Sequence, residues 1–326
     1  MLSPNNAIGG YFQLELQLEK KDKYPQALKF QSARAAFYAL LQQMPNIRRV
    51  YLPSYICDSM LAPVHATGKY LEFYEINEGF HIQERVSLRN DDILVYVDYF
   101  GVCCANVQKI LEEYPPEQVV IDCSQAFYSG PYDCLANIYS PRKFFGVPDG
   151  GLLITKRSMN VQLEDDQDSI HRMSHLLRRL AFSAEEGYAN YRLAEASLTD
   201  PKPKAMSKLT LNLLQSINYC EIERRRKSNF NFLHNALKKS NLLSLDEVKN
   251  AAMCYPYLPE KKIDRSVLAK NRIFIPLYWP EVLERKGVSG FGVRAAQNLI
   301  AIPCDQRYGF ADLTAILNGL GDEVLS

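Results

Sequence analysis

Val119-Val120-Ile121-Asp122-Cys123-Ser124-Gln125-Ala126 reads as a buried strand that ends on an acid. Ile93-Leu94-Val95-Tyr96-Val97, upstream, is an apolar run of the same kind, with no polar face. Runs like these are covered on both sides, which points to a mostly parallel sheet. Outward from this pair, strands are expected at 49–53, 70–76, 93–100, 118–122, 135–139 and 151–155, with helical patterns at 33–44, 54–67 and 105–113 between them. Strands alternating with helices define an α/β domain. Ligands of such sheets bind beyond the carboxyl ends of the strands. Asp122 stands at one such end, and Lys143 follows another.

Lys143 lies in Tyr139-Ser140-Pro141-Arg142-Lys143-Phe144-Phe145-Gly146-Val147-Pro148-Asp149-Gly150-Gly151, a turn that leads into the apolar run Leu152-Leu153-Ile154. A lone lysine is usually a solvated surface residue, and a strand-end aspartate is commonly a helix cap or turn former. In this order and placement the two acquire a sharper meaning. A strand-end acid followed by a turn-borne lysine is the pair that pyridoxal phosphate chemistry uses: the lysine forms a Schiff base, and the acid keeps the pyridine nitrogen protonated. A third element lies upstream in Phe30-Gln31-Ser32-Ala33-Arg34-Ala35-Ala36-Phe37. Ser32 is an N-cap candidate before strong helix formers. The open amides of a helix start suit a phosphate, although an ordinary capped amphipathic helix reads the same way.

The 326 residues suffice for one large and one smaller domain, and the expected division is 1–205 and 206–326. Hydrophobic residues make up 47% and the net charge is +1, which argues against a dedicated nucleic-acid binder. No run approaches the roughly 20 apolar residues of a membrane span. Met1-Leu2-Ser3-Pro4-Asn5-Asn6 lacks the basic start and apolar core of a signal peptide. Eight scattered cysteines without a CxxC, several in or beside apolar runs, suit a reducing cytoplasm. His171 and His175 lack the glutamate of an HExxH pattern, so no metal site is expected.

From Asn160 the chain turns polar and helical to about Leu198, and Thr199-Asp200-Pro201-Lys202-Pro203-Lys204 then breaks it. One long helical pattern follows over 207–240. Its run Glu223-Arg224-Arg225-Arg226-Lys227 reads as a solvated face. Short strands are expected at 251–257, 272–278 and 299–303, and a last helix at 311–320, giving a smaller α+β unit.

The order of these segments resembles the fold-type I pyridoxal-phosphate enzymes and, among them, the DegT/DnrJ/EryC1/StrS sugar aminotransferases. Ser32-Ala33-Arg34-Ala35-Ala36 sits where that family has a Gly-Thr-Ala helix start that binds the cofactor phosphate. Val50-Tyr51-Leu52-Pro53-Ser54-Tyr55 resembles its strand-Pro-Ser-Tyr segment, which implies that Tyr55 lies near the cofactor ring. Asp122-Cys123-Ser124-Gln125-Ala126 resembles Asp-x-Ala-Gln-Ala, in which the aspartate pairs with the pyridine nitrogen and the glutamine touches the ring hydroxyl. Lys143 with Pro148-Asp149-Gly150-Gly151 resembles the family's lysine followed by Gly-Glu-Gly-Gly. Gly187-Tyr188-Ala189-Asn190-Tyr191-Arg192 is similar to its Gly-Tyr-Asn-Tyr-Arg loop, which makes Asn190 a candidate phosphate ligand reaching a neighbouring subunit, and Pro276-Leu277-Tyr278-Trp279 resembles a late substrate-side segment. There are departures. Ala33-Arg34 replaces Gly-Thr, so backbone amides or Ser32 must hold the phosphate and Arg34 is free to reach a phosphate itself. Ile138 stands where the family has a serine, and Ser140 is the substitute.

The resemblance implies an aspartate-aminotransferase-like α/β large domain with a smaller α+β C-terminal domain. It also implies a cytoplasmic homodimer using pyridoxal 5'-phosphate. Lys143 would carry the cofactor and shuttle the proton, with Asp122 holding the pyridinium. The implied reaction moves an amino group from an amino acid, glutamate by expectation, to a nucleotide-linked keto-sugar in polysaccharide or amino-sugar biosynthesis. Two other readings stay open. One is a lyase or dehydratase on the same fold, since fold does not fix reaction. The other is a non-catalytic relative that binds a sugar nucleotide.

Overall fold

The structure is a computed structural model that describes residues 10–17, 21–245, 248–285, 288 and 290–321. The Met1–Asn6 segment lies outside the described residues. The chain runs β1 (Leu28–Phe30), α1 (Ala33–Gln42), β2 (Arg49–Pro53), α2 (Leu61–Ala66), β3 (Tyr70–Tyr74), β4 (Asp92–Val97), α3 (Cys104–Glu113), β5 (Val119–Cys123), β6 (Ala136–Tyr139) and β7 (Gly151–Thr155). These strands form one sheet in the order β1-β7-β6-β5-β4-β2-β3. β3, β2, β4, β5 and β6 are parallel, whereas β7 runs antiparallel to β6 and β1 antiparallel to β7. Every residue of β4, β5 and β6 is buried, as expected of apolar runs covered on both faces. α1 lies against β6 and β7 and buries Ala36, Phe37, Leu40 and Leu41. Each of the larger side chains contributes about 1.5–3 kcal/mol of burial.

The register places the features of interest along one edge. Val97 pairs with Asp122, Asp122 with Ile138, Tyr139 with Leu152, and Gly151 with Phe30. The carboxyl ends of β4, β5 and β6, the start of β7 and the end of β1 therefore lie side by side. Ser32 forms a parallel bridge to Gly150, and the Gly150 N–H donates to the Gln31 carbonyl at 2.7 Å. Gln31 also ties down the breaker segment, donating to the Lys202 carbonyl and accepting from the Lys204 N–H, each at 2.7 Å.

Beyond the sheet come α4 (Ser169–Arg172), α5 (Ser174–Ala181), α6 (Ala184–Ala196), α7 (Lys208–Gln215) and α8 (Tyr219–Leu237). The long helix expected over 207–240 is thus two helices. Asn218 ends the interruption by capping α8, accepting from the Glu221 N–H at 3.1 Å. Then follow β8 (Tyr255–Tyr257), α9 (Arg265–Lys270), α10 (Phe291–Asn298), β9 (Ile300–Ile302) and α11 (Phe310–Leu320), with β8 and β9 paired antiparallel. A second core cluster gathers Phe230, Leu233 and Leu237 of α8 with Tyr255, Ile302 and Leu313. No strand forms at 272–278. Arg272 sits at φ +58°, Pro276 lacks an N–H to donate, and Trp279 closes the segment at φ +57°.

Gly151 requires its missing side chain. A Cβ there would stand 2.1 Å from the carbonyl carbon and oxygen of Ser32 and 2.4 Å from the Ala33 nitrogen, all backbone atoms that cannot swing aside. Gly151→Ala is therefore expected to cost at least about 3 kcal/mol, the upper range for overpacking, or to prevent folding. Urea unfolding checks this, and a midpoint equal to that of the parent would refute the contact.

Candidate active site

Asp122 is 5% exposed, and its Oδ1 accepts the Ser124 N–H at 2.8 Å, which fixes the carboxyl at the strand end. Gln125 lies in the turn that follows. Its Oε1 accepts the Phe100 N–H at 3.0 Å, while its buried Nε2 has no partner. A buried amide nitrogen without an acceptor costs about 1–3 kcal/mol, so this one calls for an oxygen from outside the described chain. Ser140 is buried and starts the short 3₁₀ turn Pro141–Lys143, its carbonyl accepting the Lys143 N–H at 3.1 Å. Lys143 is exposed, and its ammonium makes no hydrogen bond or ion pair with the described residues. Ser32 caps α1 from an extended conformation, its Oγ accepting the Ala35 N–H at 3.1 Å while its own proton is left to donate. Ala33, the first helical residue, is packed against Gly151.

Tyr55 follows the end of β2 and is fully buried, with a hydroxyl that has no partner. Its ring stands edge-on to Trp279 at 4.6 Å and stacks on Tyr99 at 5.8 Å, within an aromatic cluster that also holds Phe80 and Phe291. Arg34 is spent elsewhere. It donates to the backbone carbonyls of Ser59, at 3.3 Å, and Leu198, so its side chain anchors α1 to the end of α6. Asn190 lies on α6, where Nδ2 donates to Ser174 Oγ of α5 at 3.2 Å; no hydrogen bond joins it to the strand-end residues.

Two groups escaped the sequence reading. Asp98 directly follows β4 and Asp122 is the next-to-last residue of β5, and the two are neighbours, the Asp98 N–H donating to the Asp122 carbonyl at 3.1 Å. Its carboxyl is fully buried, accepting from the Cys103 N–H at 3.0 Å and the Tyr132 hydroxyl at 3.3 Å. Burial pushes its pKa up to about 6, and the nearby Asp122 adds to the rise. The repeated pattern of an apolar run closed by an acid was the available signal. The second is Arg226. The basic run is solvated at Arg224, but Arg226 is 2% exposed and points into the protein. Among the described residues no group of three or more His, Cys, Asp or Glu is arranged to hold a metal ion.

No family profile and no curated protein sequence matches the chain. Solved structures do. Spr1654 from Streptococcus pneumoniae in its PLP form is 15% identical, covers 93% of this chain and 88% of its own, and superposes with a TM-score of 0.65. DesV of S. venezuelae, solved with a ketimine intermediate, gives 15%, 92%, 85% and 0.63 by the same measures. A DegT DnrJ EryC1 StrS aminotransferase from Brucella abortus gives 14%, 92%, 86% and 0.61. The chain thus has the α/β fold of the sugar aminotransferases, the aspartate-aminotransferase-like fold expected from its segment order. At this identity the likeness establishes the fold.

Asp98 supplies a pH signature. Its folded pKa lies above the unfolded carboxylate value, so the folded state binds the extra proton between about pH 4 and pH 6. Stability therefore falls as pH rises through that window, by roughly 3 kcal/mol at most. Asp98→Asn should remove this fall. Denaturant titrations of parent and variant at pH 4.5 and pH 7.5 check it, and equal slopes with pH would refute the assignment.

Proposed function

We propose that the chain is a pyridoxal-phosphate-dependent aminotransferase, and that it transfers an amino group from an amino acid such as glutamate to a nucleotide-linked keto-sugar. The observation that carries this is the unpartnered Nε2 of Gln125, set one turn from the buried Asp122 carboxyl on the edge that also carries the unpaired Lys143. These residues fit the cofactor's functional groups: an acid for the pyridine nitrogen, an amide donor for the ring hydroxyl, and an amine for the aldehyde. The Ser32 hydroxyl and the amides at the start of α1 would meet the phosphate. When bound, the cofactor supplies an electron sink for bond cleavage at the donor's α-carbon.

The protein's own contribution follows from position. Asp122 has its Oδ1 held by the Ser124 N–H in a nearly dry setting, where a carboxylate favours a proton on a group facing it. Lys143 stands on the 141–143 turn with its side-chain nitrogen unpaired among the described residues, so it would hold the cofactor and could accept and return a proton. Tyr55 and Trp279 close the neighbouring space against water. The sugar nucleotide, the glutamate donor and a role in polysaccharide or amino-sugar biosynthesis rest on the likeness to the sugar aminotransferases, and the division of the chain at 205/206 rests on the breaker segment 199–204. Among the described residues no helix is long and apolar enough to cross a membrane.

The cofactor assignment is tested by adding pyridoxal phosphate, reducing with borohydride and sequencing the digest. The pyridoxyl group is expected on Lys143, and recovery on another lysine such as Lys156 would overturn the reading. Lys143→Ala should abolish turnover with the fold intact. Asp122→Asn should retain the cofactor and lose on the order of 10²–10³ in rate, the effect of removing one well-placed charge. Incubation with keto-sugar nucleotides and glutamate, read by mass spectrometry, separates amino transfer from elimination and from binding without turnover.

A homodimer is part of the same proposal. α5 and α6 expose Leu177, Leu180, Phe182, Tyr188 and Leu193, with Leu180 at 85% and Phe182 at 71%, a patch that a second copy would cover. Sedimentation equilibrium is expected to return the dimer mass, and Leu180→Glu should shift it toward the monomer. A parent protein that is monomeric at micromolar concentration would refute this.

A further inference from the structure

We propose that Arg226 and Gln306 are positioning residues for Lys143. From the C-terminal part of the chain they grip the Phe144 carbonyl and so set the turn on which the lysine stands. The proposal rests on the reading of Lys143 as the cofactor lysine. Phe144 is the next residue along, and its carbonyl accepts two side-chain hydrogen bonds, from Gln306 Nε2 at 2.8 Å and from Arg226 Nη2 at 3.3 Å. The Arg226 guanidinium also lies 4.6 Å from the centre of the Phe144 ring. Gln306 is oriented in turn by Arg226, whose Nε donates to its Oε1 at 2.8 Å. Carbonyl, guanidinium and amide thus close a small ring of hydrogen bonds around one backbone atom beside Lys143.

The remaining bonds of Arg226 lead to the other half of the site. Its Nη1 donates to the carbonyls of Ala252 and Met253, at 3.0 and 3.1 Å. The Met253 N–H donates to the Phe100 carbonyl at 2.8 Å, and the Phe100 N–H donates to Gln125 Oε1 at 3.0 Å. Phe100 is held at φ +55° in doing so, a conformation a bulky residue adopts only under outside constraint. One guanidinium therefore sits between the turn of Lys143 and the side chain of Gln125.

Packing alone does not account for this arginine. It is 2% exposed and forms no ion pair with a described carboxylate, and burial pulls its pKa down. Its hydrogen bonds all go to neutral oxygens, and the attraction of nearby Asp305 does not offset the cost of burial, so an apolar residue of similar length would fill the volume at lower cost. What an apolar residue would lack is the planar fork that reaches four oxygens in fixed directions.

The test uses the full-length protein and two variants. Arg226→Lys keeps the charge and loses the fork. Gln306→Leu leaves the buried arginine in place and removes the shorter bond to Phe144; if Arg226→Lys does not fold, Gln306→Leu carries the same measurement alone. Hydrogen exchange is followed in peptides covering 139–147 and, as a reference, α1. Exchange in 139–147 is expected to rise about five-fold or more with α1 unchanged, and borohydride-trapped pyridoxyl on Lys143 to fall about five-fold. Unchanged exchange at 139–147 in the folded variants, or an equal rise in both peptides, would overturn the proposal. Should the parent carry its pyridoxyl group elsewhere, the cofactor reading fails, while the exchange data still decide whether the clamp sets this turn.

Discussion

The backbone contact between Gly151 and Ser32 is the constraint on which the rest of this edge depends. It brings the entry of β7 against the first turn of α1 at a distance that leaves no room for one extra carbon. Because β7 is paired with β6, the contact also fixes where the loop from Tyr139 to Gly150 can run, and so where Lys143 stands relative to the capped helix. Strand register thus sets the turn that carries Lys143, the start of α1 and the strand end that carries Asp122 along one edge of the sheet.

Much of this was legible in the sequence because it was local. Val119–Ile121 and Ile93–Val97 announce buried strands, and Asp122, Gln125 and Lys143 stand within a few residues of strand ends, so strand position alone locates them. Ser32 was visible as a cap because capping is a short-range property. The misreadings concern residues whose role is set by distant chain. Asp98 lies inside the strand expected at 93–100, whereas the strand stops at Val97 and a 3₁₀ turn follows over Tyr99–Gly101. Arg226 lies in a basic helical run whose other members do face water, and only tertiary packing separates it from them. The segment 272–278 has strand-like composition, but the positive φ of Arg272 and Trp279 and the missing N–H of Pro276 break the extended run. Arg34 looked like a phosphate ligand because of its place in the motif, but two distant backbone carbonyls claim it.

Asp98, beside Asp122 at the carboxyl end of β4, shows how burial and hydrogen bonds oppose each other on a single carboxyl. Burial raises the Asp98 pKa to about 6, whereas the Cys103 N–H and the Tyr132 hydroxyl pull the other way by donating to the charged form. With its pKa raised only that far, Asp98 ionises as pH approaches neutral, one strand away from Asp122.

The chain holds a single tryptophan, Trp279, which is 7% exposed, adopts φ +57° and stands edge-on to Tyr55. Its indole is therefore a built-in optical reporter. Light absorbed only by tryptophan samples this one aromatic cluster, and its emission colour follows the polarity there without any label. Opening between the 272–279 segment and the sheet would redden the emission even if the helices stayed intact. Loosening of this corner can thus be told apart from global unfolding in a single cuvette.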